Sequence, residues 1–298
     1  MSMTDLLPSW ELALDSANRS PHTIKDYLAS VRSLSRYLRD HSMPDGIGET
    51  APEHIRAFLR AERERASPAT AQRHYRNLHV WFAWLEAEGE IDESPMRRVD
   101  KPKVPVAVKP FFEDKEIEAL LKSASGSSFE DRRDAAIMRV LVDTGVRVSG
   151  LAGLQLDDVM LGQKRLRVRL KGGDVTYVPV GRRTAAALDR YVRSRARQPG
   201  ASSPWLWLQL RNRAGHFTHT GIRQMLERRG RQAGVTAVTP HRFRHTFADQ
   251  WLAAGGNVDD LMSIAGWKSI TMPLAYARGR GVSRAAQAHE RLSPGDRF

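Results

Sequence analysis

The feature that most constrains the fold of this 298-residue chain is a proline-rich, basic segment about one third of the way along it. Residues 94–110 contain four prolines, at positions 95, 102, 105 and 110. Proline fixes φ and lacks an amide hydrogen, so repeated proline stops a helix and favours an extended, semi-stiff connection. The segment therefore predicts two domains, residues 1–94 and 111–298, joined by a linker over residues 95–110. The sequence is compatible both with a linker that only tethers the two domains and with one whose basic side chains also contact the backbone of a polyanion.

The residues before the linker have the apolar period of amphipathic helices. Ser-Pro pairs at 20–21 and 67–68 are N-terminal helix signals. Thr50 with Glu53 fits a capping box. Apolar residues then recur at intervals of three and four: Ile24, Leu28, Val31, Leu34, Leu38, Leu78, Trp81, Phe82 and Leu85. With a shorter helix around residues 9–16, the pattern predicts a small helical bundle that ends near Gly89.

After the linker, the pattern predicts helices interrupted by one β-hairpin. The helices are expected at Asp114–Ser123, Phe129–Thr144, Arg182–Ala196, His219–Ala233, Pro240–Ala254, Val258–Ala265, Met272–Gly279 and about Ser283–Leu292. Residues 164–170 and 175–180 contain alternating polar and aliphatic residues and are separated by glycines, which is typical of a hairpin. The expected fold class is mainly α with a small antiparallel sheet: an N-terminal helical bundle followed by an α+β domain.

Positive charge is concentrated in the second part of the chain. The formal net charge is +13, yet residues 1–105 hold 15 Lys and Arg against 16 Asp and Glu, and the remainder holds 32 against 18. A basic surface can serve solubility alone, but its concentration in one part favours a polyanionic partner. The chain has no cysteine, so disulfides and thiolate metal sites are excluded, and a reducing cell interior is compatible. No apolar run is long enough for a membrane span, and the N-terminus lacks the pattern of a signal peptide.

The strongest functional signal is the run His-Arg-Phe-Arg-His at residues 241–245. In a helix that begins at Pro240, successive residues are about 100° apart, so three polar residues share one face: His241, Arg244 and His245. The opposite face is apolar and comprises Phe243, Phe247 and Ala254. The spacing predicts that the polar face is directed into a site as a unit.

A pair of histidines at i and i+4 could instead bind zinc. The metalloprotease pattern requires glutamate directly after the first histidine, and this chain has Arg242 there. Arg244, between the two histidines, would also repel a cation. We therefore expect neither a metal nor another cofactor at this site.

A second arginine completes a site suited to a phosphodiester. Arg147 stands in the segment Thr-Gly-Val-Arg-Val-Ser at residues 144–149, and this context predicts a helix start, where the helix dipole favours anions. The planar guanidinium donates two hydrogen bonds to phosphate and stays protonated. Together, Arg147 and Arg244 would offset the charge that grows on a pentacoordinate phosphorus.

The order of these motifs resembles the tyrosine recombinases, also called the phage integrase family. Residues 144–149 are similar to the first family box, Thr-Gly-x-Arg-x-Ser-Glu, and residues 241–248 to the second, His-x-x-Arg-His-Thr-Phe-Ala. Residues 170–172, ahead of a Val-Pro, resemble the family's hairpin Gly-Lys-Gly. Residues 265–267 resemble its Leu-Gly-His/Trp, with Tyr276 nine residues further on as in the family. The resemblance covers the second domain throughout, whereas the first resembles the SAM-like core-binding domain only in size and helix pattern.

This resemblance implies a site-specific DNA recombinase, or integrase, that uses neither metal nor nucleotide and forms a 3′-phosphotyrosyl intermediate. Tyr276 would be the nucleophile, Lys171 the general acid for the 5′-oxygen, and His245 a supporting residue. The implied catalytic set is Arg147, Lys171, His241, Arg244, Trp267 and Tyr276.

The resemblance also implies partners. The chain would act on a double-stranded recombination site as a homotetramer on two duplexes, by passing a C-terminal segment of about residues 279–298 to a neighbour. It would work with the DNA in the cytoplasm, encoded by a bacterium or a phage. The residues do not specify the target sequence, the direction of reaction or any accessory protein.

Four departures from the family pattern are present. Gly150 replaces a glutamate, Trp267 stands where many members have histidine, Met272-Pro273 replaces Thr-Thr, and the usual basic residue near Thr176 is missing. Two alternatives stay open at this point. One is a type IB topoisomerase, which uses similar chemistry on one strand; the other is a DNA-binding regulator whose catalytic site has decayed.

Overall fold

The chain forms two compact units, each with its own apolar core. The structure is a computed structural model, and it describes residues 1–105, 110–170, 173–209, 215–267, 269–270, 286, 289–290, 293 and 295–297. Unit 1 spans Met1–Ala107 and unit 2 spans Val108–Phe298. No helix in the described part of the chain has the length and apolar character needed to cross a membrane.

Unit 1 is the predicted helical bundle. Its helices are α1 (Leu7–Ser16), α2 (Pro21–Asp40), α3 (Pro52–Arg65) and α4 (Pro68–Ala87). The apolar positions predicted from the period are buried in a single core, together with Trp10 and Phe58. The ring of Trp10 meets that of Trp81 edge-on, with centroids 4.8 Å apart. Burial of these large aromatic side chains together with the aliphatic residues of the core stabilises the bundle.

Two of the predicted helix caps are present and the third is displaced by one residue. The side chains of Ser20 and Ser67 each accept a hydrogen bond from the backbone N–H three residues later, at 3.2 and 3.1 Å. At the start of α3, the N-cap is Ala51, and its N–H donates to Nδ1 of His54 at 3.1 Å. Thr50 is not the cap because its hydroxyl donates to the carbonyl oxygen four residues earlier.

The proline-rich segment begins as part of unit 1, whereas an extended chain was expected from residue 95. Pro95–Arg98 form a turn of 3₁₀ helix, and Met96 and Val99 are buried in the core of the bundle. The side-chain amide of Gln72 donates to the carbonyl oxygen of Pro102 at 3.0 Å. The prolines alone predicted an extended chain, but burial of two apolar side chains stabilises the turn.

Unit 2 is mainly helical with small antiparallel sheets, which confirms the predicted fold class. Its elements are α5 (Asp114–Lys122), α6 (Phe129–Thr144), α7 (Val148–Ala152), β1 (Val159–Met160), β2 (Arg165–Arg169), β3 (Val175–Pro179), α8 (Arg182–Arg195), β4 (Leu208–Gln209), β5 (Gly215–His216), α9 (His219–Ala233), α10 (Pro240–Ala253) and α11 (Val258–Ala265). One sheet has the order β1-β2-β3, and β4 pairs with β5. The helices predicted over 272–279 and 283–292 lie wholly or largely outside the described residues.

Helix α6 crosses the core of unit 2 and ends where the candidate site begins. It packs against α8 and α10. The helix ends at Gly145, which has a left-handed φ of +56°. A Cβ at this position would lie 2.6 Å from the ring of Phe247 on α10, so only glycine allows the close approach. This turn places Arg147 directly beside the start of α10.

A buried ionic network joins α6 to α9. Asp134 is fully buried and contacts the guanidiniums of Arg133, Arg228 and Arg229 at 2.9, 2.7 and 2.8 Å. Arg229 also pairs with Asp131 at 2.8 Å. A buried carboxylate that has several charged hydrogen-bond donors is satisfied, and removal of a partner from such a cluster is costly. The network fixes the position of α9, which forms one wall of the candidate site.

Candidate active site

Four segments that are distant in sequence meet around one cavity of about 600 Å³ in unit 2. They are the turn between α6 and α7, helix α9, the start of α10, and the residue that follows the end of α11. The polar side chains and the tryptophan that line the cavity include Arg147, Arg223, Glu227, His241, Arg244 and Trp267. Four predicted catalytic residues are therefore brought together: Arg147, His241, Arg244 and Trp267.

Arg147 lies on the turn between α6 and α7, and it is the N-cap of α7. Its Nη1 donates a hydrogen bond to the carbonyl oxygen of Gly266 at 3.1 Å. Gly266 ends α11 with a left-handed φ of +62°, and a Cβ there would be 2.8 Å from the Leu170 side chain. The arginine is thus held by the C-terminal end of α11, across 119 residues of sequence.

Arg244 is buried on α10 and is held at two points. Its Nη1 donates to the carbonyl oxygen of Gly145 at 2.6 Å, and its Nη2 donates to that of Ala265 at 2.7 Å. Its Cζ lies 4.6 Å from the ring centroid of Trp267. The two carbonyl oxygens fix the orientation of the guanidinium, which lines the cavity.

The polar face predicted for α10 was expected to enter a site as a unit, but only His241 and Arg244 line the cavity, and His245 does not. His241 is exposed in the first turn, whereas His245 is buried one turn later. The two rings meet edge-on, with centroids 4.2 Å apart and planes at 78°. Phe243 and Phe247 are buried as expected, but Ala254 follows the end of the helix and is exposed. Most of α10 is surrounded by other elements, so both of its faces are buried.

Arg242 has a role in packing that was not predicted from the sequence. Its Nη2 contacts both carboxylate oxygens of Glu116, at 2.7 and 2.8 Å, and also donates to the carbonyl oxygen of Phe111 at 3.0 Å. Burial opposes ionisation of Glu116, but hydrogen bonds from the Glu113 N–H and from Arg242 outweigh it and lower the pKa of Glu116. The guanidinium also lies 4.0 Å from the ring centroid of Phe112. These contacts join the first turn of α5, and the chain before it, to the first turn of α10.

Arg223 and Glu227 on α9 were also missed. Both are exposed and line the cavity. Their i and i+4 spacing on a predicted helix could have placed them on one face. No local pattern indicates that this face borders Arg147 and Arg244, because that neighbourhood depends on how α9 packs against α5 and α7.

The predicted nucleophile Tyr276 and the predicted general acid Lys171 lie outside the described residues. The hairpin that carries Lys171 is described on both sides of it. Arg169 and Thr176, near the ends of its two strands, line a small cavity together with Arg147. The end of the hairpin therefore lies next to the arginine at the start of α7.

Gly150, which replaces the family's glutamate, lies where α7 contacts β2. A Cβ at this position would be 3.0 Å from Cγ1 of Val168 and 3.3 Å from the carbonyl oxygen of Arg169. Glycine thus lets the short helix after Arg147 lie directly on the hairpin. The departure affects local packing, and α7 is formed without the glutamate.

Two guanidiniums fixed by backbone oxygens beside a histidine make a site for a phosphodiester. Such a cavity can hold the phosphodiester on which an enzyme that breaks and rejoins DNA would act.

Comparison with known families agrees with this class. Residues 110–280 match the model described as the phage integrase family, and residues 9–89 match the phage integrase N-terminal SAM-like domain. The chain belongs to the phage integrase family. It is a tyrosine recombinase, an enzyme that breaks and rejoins DNA, and the predicted family is confirmed.

Curated relatives are similar over most of the chain. The tyrosine recombinase XerC of Bacillus subtilis (strain 168) is 30% identical over 264 residues, which cover 87% of this chain and 86% of the relative. The tyrosine recombinase XerC of Syntrophus aciditrophicus is 26% identical over 308 residues, 98% of each chain.

Solved structures share the fold at lower identity. A lambda integrase dimer bound to a COC′ core site has a TM-score of 0.76 and 18% identity, over 95% of this chain and 79% of that chain. The Tn1549 transposon integrase in complex with a circular intermediate DNA has a TM-score of 0.76 and 20% identity, over 98% and 99%.

Proposed function

We propose that this chain cleaves DNA at a recombination site, forms a 3′-phosphotyrosyl intermediate and exchanges strands between two duplexes. One observation carries the proposal: Arg147, His241 and Arg244 line a single cavity, and backbone carbonyl oxygens hold both guanidiniums. Positive charge that is fixed before the reaction stabilises a pentacoordinate phosphorane without further rearrangement.

In the cleavage step, the phenol oxygen of Tyr276 attacks the scissile phosphorus. A P–O bond forms to the tyrosine, and the bond from phosphorus to the 5′-oxygen breaks. A free phenol has a pKa of about 10, so His241 accepts its proton while the arginines favour the anionic form. Lys171 donates a proton to the departing 5′-oxygen. His245 supports His241 through the edge-on contact of their rings.

Strand exchange is the reverse of cleavage with a different alcohol. The energy of the broken bond is kept in the phosphotyrosyl ester, so rejoining needs no nucleotide. When the 5′-hydroxyl of the second duplex attacks the phosphorus, the tyrosine leaves and a recombinant strand results. The two arginines stabilise the same charge in both directions.

The partner is double-stranded DNA, bound by both units. The match of residues 9–89 to the SAM-like domain supports a DNA-binding role for residues 1–94, with residues 111–298 as the catalytic domain. Unit 2 carries the basic excess, which suits a polyanion. Because the curated relatives are bacterial proteins, we place the reaction in the cytoplasm of a bacterial cell.

We further propose a tetramer on two duplexes, with residues 279–298 passed to a neighbouring copy. A lambda integrase tetramer bound to a Holliday junction shares the fold of this chain, with a TM-score of 0.71 and 17% identity. Complete exchange between two duplexes cleaves both strands of each duplex. A tetramer supplies one active site for each of these strands.

A strand-exchange assay tests the function and separates it from that of a topoisomerase. DNA bound by the intact chain is first selected from a random-sequence pool. Two duplexes of different length that carry the selected site are then incubated with the protein, each labelled on one strand. A recombinase produces a labelled strand of new length, whereas a type IB topoisomerase relaxes supercoiled DNA and leaves both labels in their original strands. Absence of any product of new length contradicts the proposal.

A further inference from the structure

We propose that Trp207 and His216 are positioning residues for DNA cleavage: they hold the C-terminal end of α7 and thereby fix Arg147, which is the N-cap of this helix. The inference rests on the proposed function, because Arg147 is assigned there to the scissile phosphate. Neither Trp207 nor His216 belongs to the lining of the active-site cavity. Both would act on the arginine through the backbone of α7.

Helix α7 is too short to be stable alone. It has five residues, Val148–Ala152, and a helix of this length forms too few hydrogen bonds to offset the entropy lost when its chain is ordered. The last carbonyl groups of a helix also lack partners within the helix. The position of Arg147 therefore depends on contacts that the rest of unit 2 makes with α7.

Trp207 is connected to Arg147 by two consecutive hydrogen bonds. The indole Nε1 donates to the carbonyl oxygen of Leu151 at 2.8 Å. The N–H of Leu151 in turn donates to the carbonyl oxygen of Arg147 at 2.9 Å. Trp207 and Leu151 are fully buried, so water does not compete for the bond between them.

His216 makes the equivalent contact one residue further along α7. Its Nε2 lies 2.7 Å from the carbonyl oxygen of Ala152, and because a carbonyl oxygen only accepts, Nε2 carries the hydrogen. The imidazole stacks on the indole of Trp205, with centroids 4.1 Å apart and planes at 17°. This stacking holds the ring in the plane from which Nε2–H reaches the helix.

The two side chains belong to one small sheet that is attached to the chain just after α7. Trp207 directly precedes β4, and His216 on β5 pairs with Leu208 on β4. Two backbone hydrogen bonds of 2.9 Å join residues 154–156 to residues 204–206. A rotation of α7 would break these bonds together with those of Trp207 and His216, so the sheet keeps the helix in one orientation.

The experiment measures single-turnover cleavage by the full chain at saturating protein. The probe is a nicked duplex that carries the selected site, from which cleavage releases a short 5′ fragment, so that the covalent adduct accumulates. His216→Gln places an amide nitrogen near the position of Nε2, whereas the side chain of His216→Asn is too short to reach Ala152. His216→Asn and Trp207→Phe should each slow cleavage on the order of tenfold, and His216→Gln should keep most of the rate.

Binding separates a positioning role from a role in DNA affinity. The dissociation constant of each variant for the same duplex should stay close to that of the unmodified protein, because many phosphate contacts elsewhere supply the affinity. The loss should therefore be confined to the rate of cleavage.

Combination with Arg147→Ala tests whether the two residues act through this arginine. If they do, His216→Asn and Trp207→Phe should not slow cleavage further once the arginine side chain is absent. Because the adduct accumulates, the slow rates of the combined variants can be measured over long incubations.

Tyr191→Phe is the matched control for a general loss of stability. The buried hydroxyl of Tyr191 donates to the carbonyl oxygen of Leu206 and accepts from the N–H of Leu208, at 2.8 and 3.0 Å. These bonds hold the same segment as Trp207, but within the described part of the chain the hydroxyl bonds to no residue of α7. Tyr191→Phe should lower the melting temperature and leave the cleavage rate close to that of the unmodified protein.

Four outcomes overturn the inference. His216→Asn and Trp207→Phe cleave at the unmodified rate, His216→Gln is as slow as His216→Asn, the substitutions slow Arg147→Ala by the same factor, or Tyr191→Phe loses as much rate as they do. If Trp207→Phe does not fold, the comparison of glutamine with asparagine at position 216 decides. The proposed function fails separately, if the unmodified protein forms no covalent adduct with DNA.

Discussion

The guanidinium of Arg244 lies against the face of Trp267, with Cζ 4.6 Å from the ring centroid. Trp267 is only 5% exposed, and its Nε1 atom is buried. The indole ring therefore contacts the arginine directly, and both side chains belong to the lining of the cavity. We infer that the main role of Trp267 is to keep the guanidinium plane in place, together with the two carbonyl oxygens.

The contact between Arg244 and Trp267 predicts that Trp267 variants differ in their cleavage rate. Trp267→Phe keeps an aromatic face and should retain most of the cleavage rate. Trp267→Leu removes the cation–π contact, which contributes about 0.5–2 kcal/mol, so the rate should fall by up to ~30-fold. Single-turnover cleavage at saturating DNA measures both. Equal losses in the two variants would indicate that the indole N–H is the group that matters.

Loss of either guanidinium should strongly slow cleavage. Arg147→Ala and Arg244→Ala should each reduce the single-turnover rate by roughly 10²–10³-fold, by analogy with the removal of one oxyanion donor. Arg244→Lys keeps a charge but cannot bridge two carbonyl oxygens, so it should recover only part of the rate. Near-normal rates in the alanine variants, with DNA binding intact, would exclude these arginines from the reaction.

The role of Lys171 can be tested with a modified leaving group. Lys171→Ala should cleave normal DNA slowly, because the 5′-oxygen would leave without a proton. A substrate with sulfur at the bridging 5′ position needs no proton on departure, so it should restore the rate of this variant. If the sulfur substrate gives no rescue, the lysine acts in DNA binding instead of proton transfer.

Substitution of Gly150 should change the stability of the fold rather than the chemistry of the site. In Gly150→Ala, the new methyl group would crowd Cγ1 of Val168 at 3.0 Å and the carbonyl oxygen of Arg169 at 3.3 Å. Forcing an extra methyl into such a contact costs about 1–3 kcal/mol. Gly162→Ala is the control, because nothing lies within 4 Å of a Cβ there. Chemical denaturation should show a lower unfolding free energy for Gly150→Ala than for Gly162→Ala, and equal values would contradict the prediction.

The sequence predicted those helices whose signals are local. Phe129–Thr144, His219–Ala233 and Val258–Ala265 have the bounds that were expected, because an apolar period and a terminal glycine mark each of them. Strands β1, β4 and β5 were missed, since two residues are too few to show a period.

The structural features that the sequence did not predict depend on contacts between residues that are far apart in the sequence. The pairing of Arg242 with Glu116 joins positions 126 residues apart, and the pairing of Asp134 with Arg229 joins positions 95 apart. Neither has a local spacing that could reveal it. Arg147 was predicted from its motif, but its anchoring by Gly266 follows only from the folded chain.

Trapping the covalent intermediate tests the central claim most directly. The unmodified protein and Tyr276→Phe are incubated with nicked duplexes that lose the 5′-end after cleavage, and the products are separated on a denaturing gel. The proposal predicts an adduct for the unmodified protein, with DNA attached to the peptide that contains Tyr276 by mass spectrometry, and none for Tyr276→Phe. An adduct of equal yield in Tyr276→Phe, or attachment to another tyrosine, would contradict it.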